Sequence, residues 1–493
     1  MKKRMIAAVL TAALCVPMTA SAWSGRGDLN ADQCIDAFDL ALMKREFYGN
    51  KDSFEDYFEP SSYPEEADVN ANDAFTPYDI VQMQNFLLGR IDDFSEAPLV
   101  SGEKLTPDED NLEQGRELNP EFLRGQMAFA ADLFKKSAQN EKNTMISPLS
   151  VSIALSMAAN GAKGQTCTEM EEVLGSSVEE INEYMAYYIT NIGYQRDARV
   201  NIANSIWLRD DERLTVEEAF LDANSRYYDA EVFKAPFDED TVQDINNWVK
   251  NETDGMIPKL VNELSADTMS VLLNAIAFDA KWADQYEDYQ VKDGIFTAAD
   301  GTVQDVEMMH GGGDEYYEFD NAVGFSKAYE GHDYRFVAIL PDEDMTVSEW
   351  IAQMDSEAVL AELGDPSLEY ELVTQTPKFK YETDLKLKEM LSDMGMPTAF
   401  DRMAADFSGM AHYTENGVDY PLYINEVLHK TFIDLNETGT RAAAVTAVMM
   451  LPGAAPGFEE PVYKYITLDR PFVYMIVDNN DIPLFMGTVQ DLG

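Results

Sequence analysis

The sequence predicts a multidomain chain: a small all-α, calcium-binding module, then a large α+β domain built on a central β-sheet. Three observations carry the prediction. Two oxygen-rich loops of twelve residues recur forty residues apart near the N-terminus, each running into a helical pattern. An acidic stretch punctuated by proline follows. From Asn119 the composition turns globular, with helical periodicity early and period-two patterns late. At 493 residues the chain also exceeds one ordinary domain.

Taken in order, the N-terminus reads as a secretory signal over residues 1–22. Lys2, Lys3 and Arg4 form the positive end, Met5–Val16 the apolar core, and Ala20-Ser21-Ala22 the small-residue cleavage site. Leu14 is too large for a lipobox before Cys15. No later stretch has the length of a membrane span. Cys34 and Cys167 lie far apart, so no disulfide framework is expected in the exported chain, and stability falls to core packing and metal. The formal net charge of -54 disfavours nucleic acid and anionic membranes, both of which reward basic surfaces.

The first loop places Asp28, Asn30, Asp32, Cys34, Asp36 and Asp39 at positions 1, 3, 5, 7, 9 and 12; the second places Asp68, Asn70, Asn72, Ala74, Thr76 and Asp79 there. Position 7 ligates through its backbone carbonyl, so Cys34 and Ala74 qualify. This spacing suits a hard cation taking six to eight oxygens, and two Ca²⁺ ions are expected. Both loops depart from the EF-hand rule, with Gln33 or Asp73 in place of glycine at position 6 and Asp in place of Glu at position 12. A lone Asp-rich loop reads as a solvated turn. Two in register, followed by Leu40, Met43 and Phe47 or by Ile80, Met83, Phe86 and Leu87 at helical spacing, read as a repeat. The module spans 23–92. Residues 93–118 are acidic, with Pro98 and Pro107 and few large apolar residues, and predict an extended mobile tether.

In the large domain, 119–493, helices are expected over Phe122–Lys135 and Leu385–Met394, and a short strand running into a helix over Asn143–Ala159. Strands are expected over Asn201–Leu208, Val271–Phe278, Arg335–Leu340, Glu369–Phe379, Pro471–Val477 and Leu484–Val489. No catalytic constellation emerges. His310, His332, His412 and His429 lack metal-ligand spacing, no nucleophile elbow or phosphate loop is present, Gly311-Gly312-Gly313 reads as a turn, and Cys167 as core filling. The segment 437–457 stands out instead. After Gly439, the residues Thr440, Ala442, Ala444, Thr446, Val448 and Met450 share one face of a strand, all small or apolar, while Arg441 falls opposite. Alanine content permits a helix over Arg441–Met450 as well. Such a segment is a candidate switch.

The loop-helix repeat resembles a dockerin, the module that plugs secreted proteins into cohesin domains of bacterial scaffolds such as cellulosomes. That likeness implies that Ala37, Phe38, Lys44, Arg45, Pro77 and Tyr78 face the cohesin. The large domain resembles a serpin through ordered landmarks: Asn143 to Ser150, Gly161-Ala-Lys-Gly with Thr166, Ile245 to Val249, Leu273 to Phe278 with Trp282, and Pro377-Lys-Phe379. Ala405 to Gly409, His429-Lys430, Arg470-Pro471-Phe472 and Pro483 to Gly487 complete the set. The resemblance implies a monomeric α+β domain whose exposed reactive loop baits a serine protease and, once cut, inserts into the central sheet; it implies no enzyme activity. By the family's pattern Glu437, Gly439, Thr440, Ala442, Ala443, Ala444 and Thr446 form the hinge, and Ser147, Ser150, Asn274 and His429 a hydrogen-bonded shutter. The usual count puts the reactive bond at Gly453–Ala454, with Met449, Met450 and Leu451 as alternatives. Small or Met-Leu residues there suit elastase-like or subtilisin-like targets. Two competing readings are a non-inhibitory serpin fold in a structural role and a polysaccharide-degrading enzyme carried by the dockerin.

Overall fold

The computed structural model describes residues 103–106, 112–138, 142–192, 198–253, 256–257, 259–264, 268–440 and 462–493. The signal segment, both cation loops, the cohesin-facing residues and the reactive-bond candidates lie outside them. So do Ala442, Ala443, Ala444 and Thr446. Contacts divide the chain into Met1–Leu99 and Val100–Gly493, and the fold below is that of the second unit.

The central sheet has seven strands among the described residues, in the order β1 (Glu103–Lys104), β5 (Glu231–Ala235), β3 (Ala198–Arg209), β6 (Ser270–Lys281), β17 (Gly439–Thr440), β16 (Leu428–Asn436) and β13 (Phe379–Lys386). A second sheet is ordered β2 (Thr144–Ile146), β20 (Pro483–Val489), β19 (Phe472–Asp478), β11 (Tyr334–Pro341), β10 (Ala322–Ala328) and β9 (Tyr316–Phe319). A third runs β18 (Val462–Thr467), β12 (Tyr370–Pro377), β8 (Val303–Gly311) and β7 (Val291–Thr297). The small sheet β15 (Val418–Tyr420), β14 (Ala411–Glu415) and β4 (Leu214–Val216) completes the set. Helices are α1 (Pro120–Ser137), α2 (Pro148–Ala159), α3 (Gly164–Leu174), α4 (Val178–Ile192), α5 (Glu218–Tyr228), α6 (Glu239–Glu252), α7 (Val347–Gln353), α8 (Ser356–Gly364) and α9 (Lys388–Met394). The α+β class predicted from sequence is the one observed.

Local chemistry explains the helix that matters most. Ser147 caps α2 by accepting from Ser150 N, and Pro148 occupies the first turn, where its missing N–H costs nothing. Every residue of α2 is buried, as expected of a helix apolar on all sides and set in the middle of a domain. It packs against β6, β20 and α1. β19 and β20 are likewise buried along their whole length, so their sequences lose alternation. β16 keeps it: His429, Thr431, Ile433 and Leu435 point inward.

Three expectations are corrected. The strand expected over Glu369–Phe379 is two strands in different sheets, β12 and β13, separated at Lys378, whose N–H donates to Glu307 O at 3.0 Å. The helix expected over Leu385–Met394 begins only at Lys388, because Leu385 and Lys386 pair with His429 and Leu428 in the central sheet. The tether expected over 93–118 is partly docked on the domain. Glu103 and Lys104 pair with Lys234 and Phe233. Leu105 N donates to Val232 O at 2.7 Å, Glu113 N to Arg226 O at 2.8 Å, and Arg116 N to Glu183 O at 3.0 Å. The exposed edge of β5 offers unpaired backbone groups that Glu103–Thr106 satisfies, a local match that average composition conceals.

Candidate functional site: a hinge over a buried polar cluster

At the end of β16 the chain turns back on itself and drops two residues into the central sheet. Gly439 pairs with Lys281 on β6 and with Asn436 on β16; Thr440 pairs with Ala280 and Leu435. β17 runs antiparallel to both neighbours, which run parallel to each other. Among the described residues β6 and β16 are laddered together only through this two-residue wedge. Position 439 admits no side chain, since a Cβ there would lie 2.7 Å from Lys281 Cα and closer still to the Ala280 carbonyl.

The wedge is held by Trp282 and its surroundings. Trp282 N donates to Thr438 O at 3.0 Å, Tyr286 N to Glu437 O at 3.0 Å, and the Trp282 indole N–H to Asn436 O at 2.8 Å. The indole stacks on Tyr329, with centroids 4.6 Å apart, and the Tyr329 hydroxyl lies 2.6 Å from Thr440 Oγ1. Thr440 is only 4% exposed. The Lys327 ammonium sits 4.6 Å from the Tyr286 ring centre, and burial lowers its pKa against the pull of Asp314 and Asp284. Outside the wedge, Lys378 Nζ is 2.8 Å from the Glu437 carboxylate and 3.4 Å from that of Glu307. Burial alone would raise the Glu437 carboxyl, but the Lys378 partnership leaves it below its ordinary value. Lys378 reaches this place because the chain changes sheets beside it.

Beneath the sheet lies the polar cluster. Ser147 N donates to His429 Nε2 at 2.9 Å. That bond needs a neutral imidazole, and burial pushes its pKa down to about 4. Ser150 Oγ donates to the Asn274 side-chain oxygen, and Asn274 in turn donates to Asn204, whose amide donates to Tyr228 O at 2.8 Å. Thr431 Oγ1 donates to Met145 O at 2.9 Å. The structure thus brings the four shutter candidates into one layer, with Ser150 tied to β6 and Ser147 to β16. Of the hinge candidates it places Glu437, Gly439 and Thr440. Sequence reading overlooked Asn204, Tyr329 and Lys378 as site residues. The Pro377-Lys-Phe379 landmark contained Lys378, and nothing local marked the other two.

Among the described residues no group of three or more His, Cys, Asp or Glu side chains is placed to hold a metal, and no helix is long and apolar enough to cross a membrane. The sequence matches the family model for serpins (serine protease inhibitors) over residues 124–492 and that for the dockerin type I domain over residues 26–88. A serpin-like protein of Thermococcus kodakarensis is 32% identical over 375 residues, covering 74% of this chain and 84% of its own. The leukocyte elastase inhibitor of Equus caballus is 29% identical over 378 residues, 73% of this chain and 96% of its own. Among solved structures, the thermophilic serpin tengpin in its native state superposes with a TM-score of 0.74 at 39% identity, over 80% of this chain and all of that one. A loop C-sheet serpin polymer superposes with a TM-score of 0.67 at 36% identity, over 78% of this chain and all of that one. Fold, hinge and matches agree that the chain belongs to the serpin family and carries a dockerin type I domain at its N-terminal end.

Proposed function

We propose that this chain is an exported covalent suicide inhibitor of serine proteases, held on a cohesin-bearing scaffold by its dockerin. The single observation that carries the reading is the wedge: the hinge residues Gly439 and Thr440 already occupy the path between β6 and β16. Continuing the register of Thr440 sets Ala442 between Phe278 and Ile433, Ala444 between Ile276 and Thr431, and Thr446 between Asn274 and His429. Each is small enough for a slot walled by Phe278, Ile276, Ile433, Thr431 and His429, all buried, and by half-buried Asn274. Thr446 arrives level with the polar cluster, where its hydroxyl can take up bonds that the parting strands release.

The chemistry divides between the two proteins. The protease serine oxygen attacks the carbonyl carbon of the residue before the reactive bond. The C–N bond breaks, the new amine leaves with the proton delivered by the protease base, and an ester joins protease to loop. Insertion of about fourteen residues at roughly 3.3 Å each moves that ester some 45 Å before water can hydrolyse it. Serpin loop insertion is itself a recognised instance of strand addition and stored strain, so stability here is kinetic. Gly453–Ala454 is the expected bond. An elastase-like or subtilisin-like target fits its small residues, and the likeness to a leukocyte elastase inhibitor favours the first.

In the dockerin, the oxygen donors from Asp28 to Asp39 and from Asp68 to Asp79 would hold two Ca²⁺ ions, ordering the helices that present Phe38, Lys44, Arg45 and Tyr78 to a cohesin. The test is incubation of the full chain with subtilisin and pancreatic elastase. An SDS-stable complex at near-stoichiometric ratio is expected, and clean cleavage without complex at every ratio would refute inhibition.

A further inference from the structure

Among the described residues, β18 is the first strand after the segment 441–461 and lies at the edge of its sheet, paired there with β12 alone. Its inner side is well satisfied. Ile466 is buried, and the Lys464 ammonium lies 4.6 Å from the Tyr316 ring centre and 4.7 Å from that of Tyr370. Its outer side is not. Tyr463 is 52% and Tyr465 74% exposed, their rings 6.4 Å apart, an unusual outlay of aromatic surface in a chain this acidic. The register places exposed Glu371 beside Tyr463 and half-buried Val373 beside Tyr465. A recess of about 570 Å³ opens next to Tyr465; Val323, Leu340 and Ile466 contribute apolar wall, exposed Glu343 an acid, and Asp469 and Arg470 an ion pair at 3.8 Å.

We propose that this aromatic ledge and the adjoining recess, with Glu343 in its wall, form a docking surface for the body of the target protease, separate from the loop its active site reads. The inference rests on the inhibitory reading above. Reach supports this occupant. Seven residues lie between Ala454 and Val462, so the bond is at most about 29 Å of extended chain from the ledge. A protease of about 250 residues has a radius of gyration of roughly 18 Å, and seated on the bond it overhangs β18. Chemistry supports it too: paired tyrosines supply rigid contact area of the kind that concentrates binding energy, and exposed Glu343 at the recess can pair with a lysine or arginine of the protease surface. The net charge of -54 draws a basic enzyme towards it.

The test compares second-order inhibition rates for the full chain, a Tyr463→Ala/Tyr465→Ala double variant and Glu343→Lys, against whichever of subtilisin and pancreatic elastase the unmodified chain inhibits faster. The double variant is expected to associate at least fivefold more slowly, with stoichiometry and melting temperature unchanged. Glu343→Lys is expected to slow association at low salt and to lose that deficit at high salt. Equal rates for all three proteins overturn the proposal. So does a joint loss of stoichiometry and melting temperature in the double variant, which would make the tyrosines structural. Self-association of the unmodified chain that the double variant abolishes would assign the ledge to a second copy instead. If the unmodified chain forms no SDS-stable complex with either enzyme, the inhibitory reading falls and takes this one with it.

Discussion

Replacing Thr440 by arginine tests the wedge where it is most tightly packed. The side chain is 4% exposed, its hydroxyl lies 2.6 Å from that of Tyr329, and its flanking partners are Ala280 and Leu435. No carboxylate is hydrogen-bonded to Thr440 among the described contacts, so a guanidinium entering the slot loses water without gaining a counter-ion. The effective penalty for such a charge is several kcal/mol. If about 3–4 kcal/mol of it falls on the barrier to insertion, insertion slows by roughly a hundred- to a thousandfold. Deacylation is untouched, because the loop near the reactive bond is unchanged, so the outcome shifts from trapping to turnover. Thr440→Val is the control. It keeps the shape and loses only the Tyr329 bond, about 1 kcal/mol, so most trapping should survive. The assay is an SDS gel of complex against cleaved inhibitor across a range of ratios. Full complex yield from Thr440→Arg would refute the inward path derived for the loop.

Three further predictions follow from the same geometry. Glu437→Lys replaces the partner of Lys378 with a like charge; after discounting for partial exposure it should loosen the hinge by about 1 kcal/mol, and adding Lys378→Glu should restore the melting temperature. His429 is pushed from 6.5 down to about 4 by burial, so the unfolded chain takes up its proton first as pH falls. Its contribution is fully present above about pH 6.5 and is lost on descending to about pH 4, some 3 kcal/mol in all; a His429→Gln variant should show a shallower acid slope in urea midpoints, and an identical slope would contradict the assignment. Deleting residues 1–118 uncovers the edge of β5 and removes the Arg226–Glu113 and Arg116–Glu183 pairs, so urea denaturation should begin at a lower concentration than in the full chain.

Much of this architecture was legible in the sequence because its signals are local. The apolar runs Pro471–Val477 and Leu484–Val489 marked β19 and β20, and the strand-then-helix pattern over Asn143–Ala159 marked β2 and α2. Sequence reading missed β16 as a strand, although its alternation points His429 inward. Where signals were not local, sequence reading slipped. Pro377 and Phe379 look like one continuous strand because nothing in the composition says that the chain leaves one sheet and enters another at Lys378. Leu385 belongs to a helical spacing and to a strand at once, and pairing with His429 decides the matter. The docking of Glu103–Thr106 depends on an edge strand more than a hundred residues away. The hinge was readable as a run of small residues on one face, but its partners Trp282, Tyr329 and Lys378 come from three separate strands or strand ends, and only folding brings them together.

The most direct measurement is the melting temperature of the chain before and after one cut between Met449 and Gly457 by a catalytic amount of elastase or subtilisin. Filling the slot between β6 and β16 completes the central sheet, so the cut protein should melt tens of degrees higher, with the new strand protected from hydrogen exchange and Thr446 level with His429. An unchanged melting temperature, with the severed arm still exchanging freely, would contradict the account at its root.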